Sequence, residues 1–241
     1  MATKLAKRKK GIAANGRAGN GKPTGSKDYQ KQRAALLTAE LELLDQSERV
    51  AQMRRKLPLV RKVKDYTFRE GPPDLSVNSP TSFFSTKLSD LFAPGKDSLI
   101  IDHLMFGENE EKACPMCSMW ADGYNAIARH VSDKTNFVLV AKADIGTLRD
   151  WARARGWHNI RLLSSHGSTF NRDFGFEHNG QQQPGVSVFR RKGEDIYHFY
   201  SQTAELVPDH FRGIDLMTPV WNLFDVLPEG REDWHPEHFY Y

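Results

Sequence analysis

Only two of the 241 residues are cysteine, which excludes a scaffold knit by disulfides. A lone C-x-x-C in a chain of this kind reads as redox or metal chemistry instead. No apolar run approaches the ~18 residues needed to cross a bilayer. The basic start lacks the apolar stretch of a secretory signal, so no membrane association and a cytoplasmic location are expected. Acidic residues are nearly missing from Lys4 to Arg33, where Asp28 stands against ten Lys or Arg. Large apolar side chains are scarce there too, Leu5 and Ile12 being nearly alone before Tyr29. Such a stretch buries too little surface to offset its ordering entropy, and residues 1–27 are expected to form a disordered basic tail. It interleaves no aromatic ring for base stacking, so a nucleic-acid role is not expected.

The rest of the chain has enough apolar content for a core: 39% of the sequence is hydrophobic and 27% charged. Residues 28–57 carry a helical pattern in which Leu36, Leu43, Val50 and Leu57 recur every seven residues. Ala39 and Met53 fill the seam between them, Gln46 interrupts it, and Pro58 ends it. About three heptads is short for an independent coiled coil. This N-terminal helix is therefore expected to lie on the main domain or to join a partner, as in a homodimer. Residues 58–227 form the expected main domain and 228–241 a polar, aromatic C-terminal tail.

Within that domain, short strands are expected at Leu59 to Val63 and Tyr66 to Phe68, then one helical turn at Leu88 to Phe92. Leu99 to Phe106 is a mostly continuous apolar run, the mark of a strand buried on both faces. Further strands are expected at Phe137 to Ala141 and Ile160 to Ser164. Between them lies a helix capped by Thr147 and ended by Gly156. Val186 to Arg190 and Ile196 to Tyr200 flank Lys192-Gly193-Glu194-Asp195 as a hairpin. Leu206 to Phe224 suggests a last helical region. Strand, helix, strand, helix, strand and then a hairpin is the order of an α/β thioredoxin-like fold, a central mixed sheet flanked by helices.

The two cysteines stand together as Cys114-Pro115-Met116-Cys117, where the Leu99–Phe106 strand and a polar loop give way to a helical pattern. Met116, Met119, Trp120, Tyr124, Ile127 and Val131 follow at spacings of three and four. Cys114 thus falls at the N-cap, Pro115 at the first helical position and Cys117 at the third. Proline suits that position because its missing N–H would be unpaired anyway. A thiolate at the cap faces the free N–H groups of the first turn and the positive end of the helix dipole, which depresses its pKa. Glu108, Glu110 and Glu111 oppose this, with Lys112 offsetting one of them. The contact donors of the helix terminus are expected to outweigh the screened carboxylates.

The chain resembles the uncharacterised thioredoxin-like proteins described as predicted dithiol–disulfide oxidoreductases. The residues that carry the resemblance are Asp65-Tyr66-Thr67-Phe68, His103-Leu104-Met105-Phe106-Gly107, Cys114 through Asp122, Gly167 through Gly175, and Gly185-Val186-Ser187-Val188-Phe189. It runs from about Tyr29 to Arg231. It implies the fold and a redox dithiol, not a substrate. Two departures from better-understood relatives stand out. Thioredoxins place Trp before the first cysteine and Gly-Pro between the pair, whereas here Ala113 precedes and Pro-Met intervenes. The Pro-x-x-x-Thr-x-x-Cys pattern of peroxiredoxins is missing before Cys114, which argues against efficient peroxidase chemistry.

By the same resemblance Asp102 corresponds to the buried carboxylate that thioredoxins use as a proton relay, a structural carboxyl being the alternative. Pro184 corresponds to a proline, cis in such folds, that would bind substrate together with Pro115; an ordinary loop proline is the alternative. His103 is expected on the opposite face from Asp102 as a satisfied core histidine. Trp120 and Tyr124 are expected in the core, and Arg172 with Asp173 in local pairing. His210, His235 and His238 lack the spacing of a zinc site, and the two cysteines supply only half of the four ligands it needs. The expectation is a thiol–disulfide oxidoreductase with catalytic Cys114, Cys117 and Asp102, no bound cofactor, protein or small-thiol substrates and an upstream thiol reductant. The alternative is an inactive thioredoxin-like interaction module.

Overall fold

The computed structural model describes residues 25–59 and 61–207 and, beyond them, 213, 214, 217, 220, 223, 225–227, 233 and 235–238. The expected basic tail, apart from residues 25–27, and most of the expected helical region Leu206 to Phe224 lie outside the described residues. Two compact units divide at Lys56 and Leu57.

The first unit's described part is α1 (Lys27–Arg55), capped by Ser26, whose hydroxyl accepts from the Tyr29 amide at 3.2 Å. Arg33–Glu40 and Arg55–Glu48 pairs run along its surface. None of its residues is buried, and Leu36, Leu37, Leu41, Leu43, Leu44 and Met53 are all exposed.

The second unit is built on one eight-stranded sheet with the order β1-β10-β9-β4-β5-β6-β2-β3. Its strands are β1 (Arg61–Lys62), β2 (Thr67–Glu70), β3 (Phe84–Lys87), β4 (Ser98–Leu104), β5 (Asn136–Ala141), β6 (Arg161–Ser164), β9 (Gly185–Lys192) and β10 (Asp195–Thr203). A separate small hairpin pairs β7 (Glu177–His178) with β8 (Gln181–Gln182). The helices are α2 (Pro115–Lys134), α3 (Ile145–Arg155) and the single turn α4 (Phe170–Asp173). β4, β5 and β6 run parallel through the crossovers α2 and α3, and β9 joins β4 antiparallel on its other side. That arrangement is a thioredoxin-like mixed sheet flanked by helices.

Alternation along the strands divides the core into two layers. Leu104, Leu139, Ala141 and Leu162 meet Trp120, Tyr124, Leu148 and Trp151 from α2 and α3. Leu99, Ile101, Val138, Val140 and Leu163 meet Phe68, Phe170, Phe174, Phe176 and Phe189 on the opposite face. Fully burying one such side chain contributes roughly 1.5–3 kcal/mol, so both layers matter to stability.

Several local expectations shift. α3 begins at Ile145, with Asp144 rather than Thr147 as its cap, because the Asp144 carboxylate accepts from the Gly146 amide at 2.8 Å. It ends at Gly156, whose φ of 74° is the left-handed geometry glycine adopts without strain. Asp173 pairs with Lys64 at 3.0 Å and accepts from the Tyr66 and Thr169 hydroxyls, so its partners are not the adjacent Arg172. β3 and the β7–β8 hairpin are too short and polar for sequence periodicity to reveal.

Two motif residues prove to be fasteners. Asp122 ion-pairs with Arg155 and accepts from the Trp157 indole N–H at 2.7 Å, tying α2 to the end of α3. Asp65 accepts from the Ser89 amide and hydroxyl at 2.9 and 2.8 Å.

Candidate active site

β4 delivers the chain to a loop, residues 105–113, whose far end is pinned where the Cys114 amide donates to the Met105 carbonyl at 3.0 Å. α2 starts immediately after, with Cys114 as its N-cap and Pro115 in its first turn. The first sulfur therefore stands at the helix mouth, half-buried, while Cys117 one turn on is 3% exposed.

The two sulfurs experience opposite electrostatics. Cys114 is drawn down to about 6, chiefly because the Cys117 thiol donates toward its sulfur. Burial opposes this, the Cys117 and Met116 amides assist, and Glu110 opposes weakly. The amides act without a regular cap hydrogen bond to the sulfur. The helix terminus is thus a secondary cause, and the partner thiol the main one. Cys117 is pushed well above an ordinary thiol by burial first, then by its donation to Cys114. One thiol is poised to ionise and its partner to stay protonated.

The acidic loop is largely engaged elsewhere. Glu110 turns back to accept from the Gly107 amide at 2.7 Å. Glu108 lies 3.7 Å from the Lys142 ammonium and 3.8 Å from His166.

Asp102 lies 3% exposed in β4, and burial alone pushes its carboxyl up to about 8. Alternation along β4 turns its side chain to the α2 side of the sheet, and from there its charge helps to raise both Cys117 and Tyr124. His103 leaves the other face. It stacks on Phe176 with ring centroids 3.6 Å apart, and its Nε2 pairs with the Ser187 hydroxyl at 2.9 Å. Its Nδ1 is buried without a partner, so the expected satisfied histidine is satisfied at one nitrogen only.

Pro184 precedes β9. The register pairs His103 with Gly185, which carries Pro184 to the end of β4 that leads to the cysteines. Its carbonyl accepts from the Ala204 amide at 3.0 Å. All described peptide bonds are trans, the one before Pro184 included, in contrast to the cis bond that the resemblance suggested. Pro115 is half-buried beside Cys114.

Among the described residues, no cluster of three or more His, Cys, Asp or Glu is arranged to hold a metal ion. No described helix is long and apolar enough to cross a membrane. Tyr124 lies in the core as its spacing predicts, but the sequence pattern does not reveal that it bears on the electrostatics of Cys117. The nearest signal is its position seven residues after Cys117, on the same stripe of α2.

The model of the family described as "Bacterial protein of unknown function (DUF899)" matches residues 20–240, and the chain belongs to that family. No curated protein matches it. Among solved structures it is similar to the reduced 2-Cys peroxiredoxin of Plasmodium vivax, at 12% identity and a TM-score of 0.47 over 65% of this chain and 89% of the other. It is also similar to the 1-Cys peroxiredoxin, or antioxidant protein, of Plasmodium falciparum, at 12% identity and a TM-score of 0.49 over 67% and 96%. With identities this low, the chemistry has to be read from this chain's own residues.

Proposed function

We propose that this member of the DUF899 family is a thiol–disulfide oxidoreductase. The observation that carries the reading is the contrast between the two sulfurs: Cys114 at the helix mouth, lowered to about 6, and Cys117 buried behind it and raised. At neutral pH the outer sulfur is mostly thiolate, the nucleophilic form.

The Cys114 thiolate attacks one sulfur of a substrate disulfide. A Cys114–substrate disulfide forms and the other substrate sulfur leaves as a thiolate. Cys117 then passes its proton to the Asp102 carboxylate and attacks the Cys114 sulfur. The second substrate thiolate is expelled, and a Cys114–Cys117 disulfide remains. An external dithiol restores the reduced pair, its two electrons being those delivered to substrate. Protein or small-molecule disulfides fit a sulfur at an open helix mouth, with Pro115 and the backbone near Pro184 as the contact surface for substrate.

Cys114→Ser should abolish exchange, and Cys117→Ser should accumulate the mixed disulfide with substrate, visible by mass spectrometry. Full multiple-turnover activity in Cys117→Ser would defeat the two-cysteine mechanism.

A second role is supported by a separate observation. α1 exposes Leu36, Leu37, Leu41, Leu43 and Leu44 and buries none of its residues, a stripe suited to a partner helix such as that of a second copy. Sedimentation of the full chain, compared with a Leu43→Lys/Leu44→Lys variant, tests this. A wild-type chain that stays monomeric at high concentration would rule out the homodimer.

A further inference from the structure

Cys117, Trp120 and Tyr124 follow one another on α2 at spacings of three and four, and all three are buried. Asp102 leaves β4 on the face that this helix covers. Two groups on the stripe stand out: the Tyr124 hydroxyl and the Trp120 indole N–H are buried with no hydrogen-bond partner. Buried polar atoms are normally paired, and an unpaired one in a native fold calls for a reason such as a catalytic role.

We propose that Tyr124 is a positioning residue for the resolving step, its phenol O–H donating to the Asp102 carboxylate while that carboxylate takes the Cys117 proton. The inference rests on the two-cysteine reading above.

Asp102 can accept a proton only when it is ionised. With its carboxyl held at about 8, only about one-tenth is ionised at pH 7. A donor aimed at the charged form favours ionisation, and the described residues around Asp102 offer few. Its strand neighbours in register, Leu139 on β5 and Val186 on β9, are apolar. The titratable groups facing it from α2 are Cys117 and Tyr124, with Cys114 at the cap. Lys142, just past the end of β5, is occupied by Glu177 at 3.1 Å and the Ser168 carbonyl at 2.7 Å. Tyr124 is electrostatically linked to both Asp102 and Cys117, and burial drives its own pKa upward. It therefore keeps its proton, and its unpaired hydroxyl is available to donate once the Asp102 carboxylate forms. The Phe137 ring packs edge-on against the phenol, with centroids 5.4 Å apart.

The bookkeeping of the step is unchanged by Tyr124. The Cys117 proton goes to Asp102, the Cys117 electron pair forms the new S–S bond, and the substrate thiolate leaves.

Mixing the reduced full chain with dithiobis-nitrobenzoate separates the two steps. The first coloured thiolate reports capture by Cys114, and the second reports resolution by Cys117. In Tyr124→Phe the first phase should be unchanged. The pH midpoint of the second should rise by about one unit, and its rate at pH 7 should fall about tenfold. A midpoint equal to or below that of the wild type overturns the proposal. If Tyr124→Phe does not fold, fluorotyrosine incorporated into the otherwise wild-type chain serves instead. The stronger donor should lower the midpoint, and an unmoved midpoint overturns the proposal. Cys117→Ser run alongside should show no second phase. If it does show one, the mechanism beneath the proposal fails, which is a different outcome from Tyr124 alone failing.

Discussion

Asp102 and His103 are consecutive in β4, leave the sheet on opposite faces, and are moved by burial in opposite directions. The carboxyl rises to about 8 and the imidazole falls to about 3. Both are therefore mostly neutral at pH 7, one on the face covered by the cysteine helix and the other against Phe176. Desolvation disfavours whichever form is charged, which raises an acid and lowers a base.

Asp102 should burden stability in a pH-dependent way. The folded chain holds a proton on this carboxyl that the unfolded chain releases above about 3.9, so its contribution favours folding at low pH. That contribution is lost as pH rises from about 4 to about 8. Asp102→Asn removes the ionisation, so its stability advantage over wild type should be small near pH 4. The advantage should widen to as much as about 5 kcal/mol by pH 8. Urea unfolding of both proteins across this range measures the gap, and a gap that does not change with pH would contradict the buried carboxyl.

The alkylation rate of Cys114 should follow a thiolate that forms around pH 6, as its environment dictates. Because the Cys117 thiol is the largest cause of that depression, Cys117→Ala should raise the midpoint by about one unit. An unchanged midpoint would assign the effect to the helix terminus instead.

Arg149 is 2% exposed and holds a loop by its backbone. Its guanidinium donates to the Pro72 and Asp74 carbonyls at 2.7 Å each and to Val77 at 3.1 Å. Arg149→Met should cost about 3 kcal/mol, since the loop loses three hydrogen bonds to a buried charged donor. Arg149→Lys should recover little, because an ammonium cannot span the same fork. Thermal unfolding checks both, and full recovery by lysine would show that charge alone matters there.

Gly185 is required for a close approach. A Cβ there would lie 2.4 Å from the Gln202 carbonyl oxygen, 2.6 Å from the Phe176 ring and 2.9 Å from the Thr203 Cα. Two of these are backbone atoms of the neighbouring strand, which cannot yield without opening the sheet. Gly185→Ala should cost about 3 kcal/mol, and an unchanged melting temperature would show that β10 can shift.

The elements around the cysteines were legible because their signals are local. The apolar run at Leu99, the proline at the first helical position and the four-residue spacing of Met116, Trp120 and Tyr124 each act within a few residues. The cap of α3 was misread because Asp144 and Thr147 are both acceptable caps by type, and the end of β5 decides between them. β3 escaped because Phe84-Ser85-Thr86-Lys87 has almost no buried face; only Thr86 in it is buried, where it donates to Glu70 at 2.6 Å.

The sequence by itself determined the order of the central strands and helices and the presence of a dithiol at a helix start, since backbone periodicity and cap chemistry depend on near neighbours. Only the tertiary structure decided how deeply each sulfur is buried, that desolvation raises the Asp102 carboxyl, and that the Tyr124 hydroxyl is buried without a partner. Those properties come from desolvation and from contacts between β4 and α2, two segments that the chain separates by a loop and the sheet brings face to face.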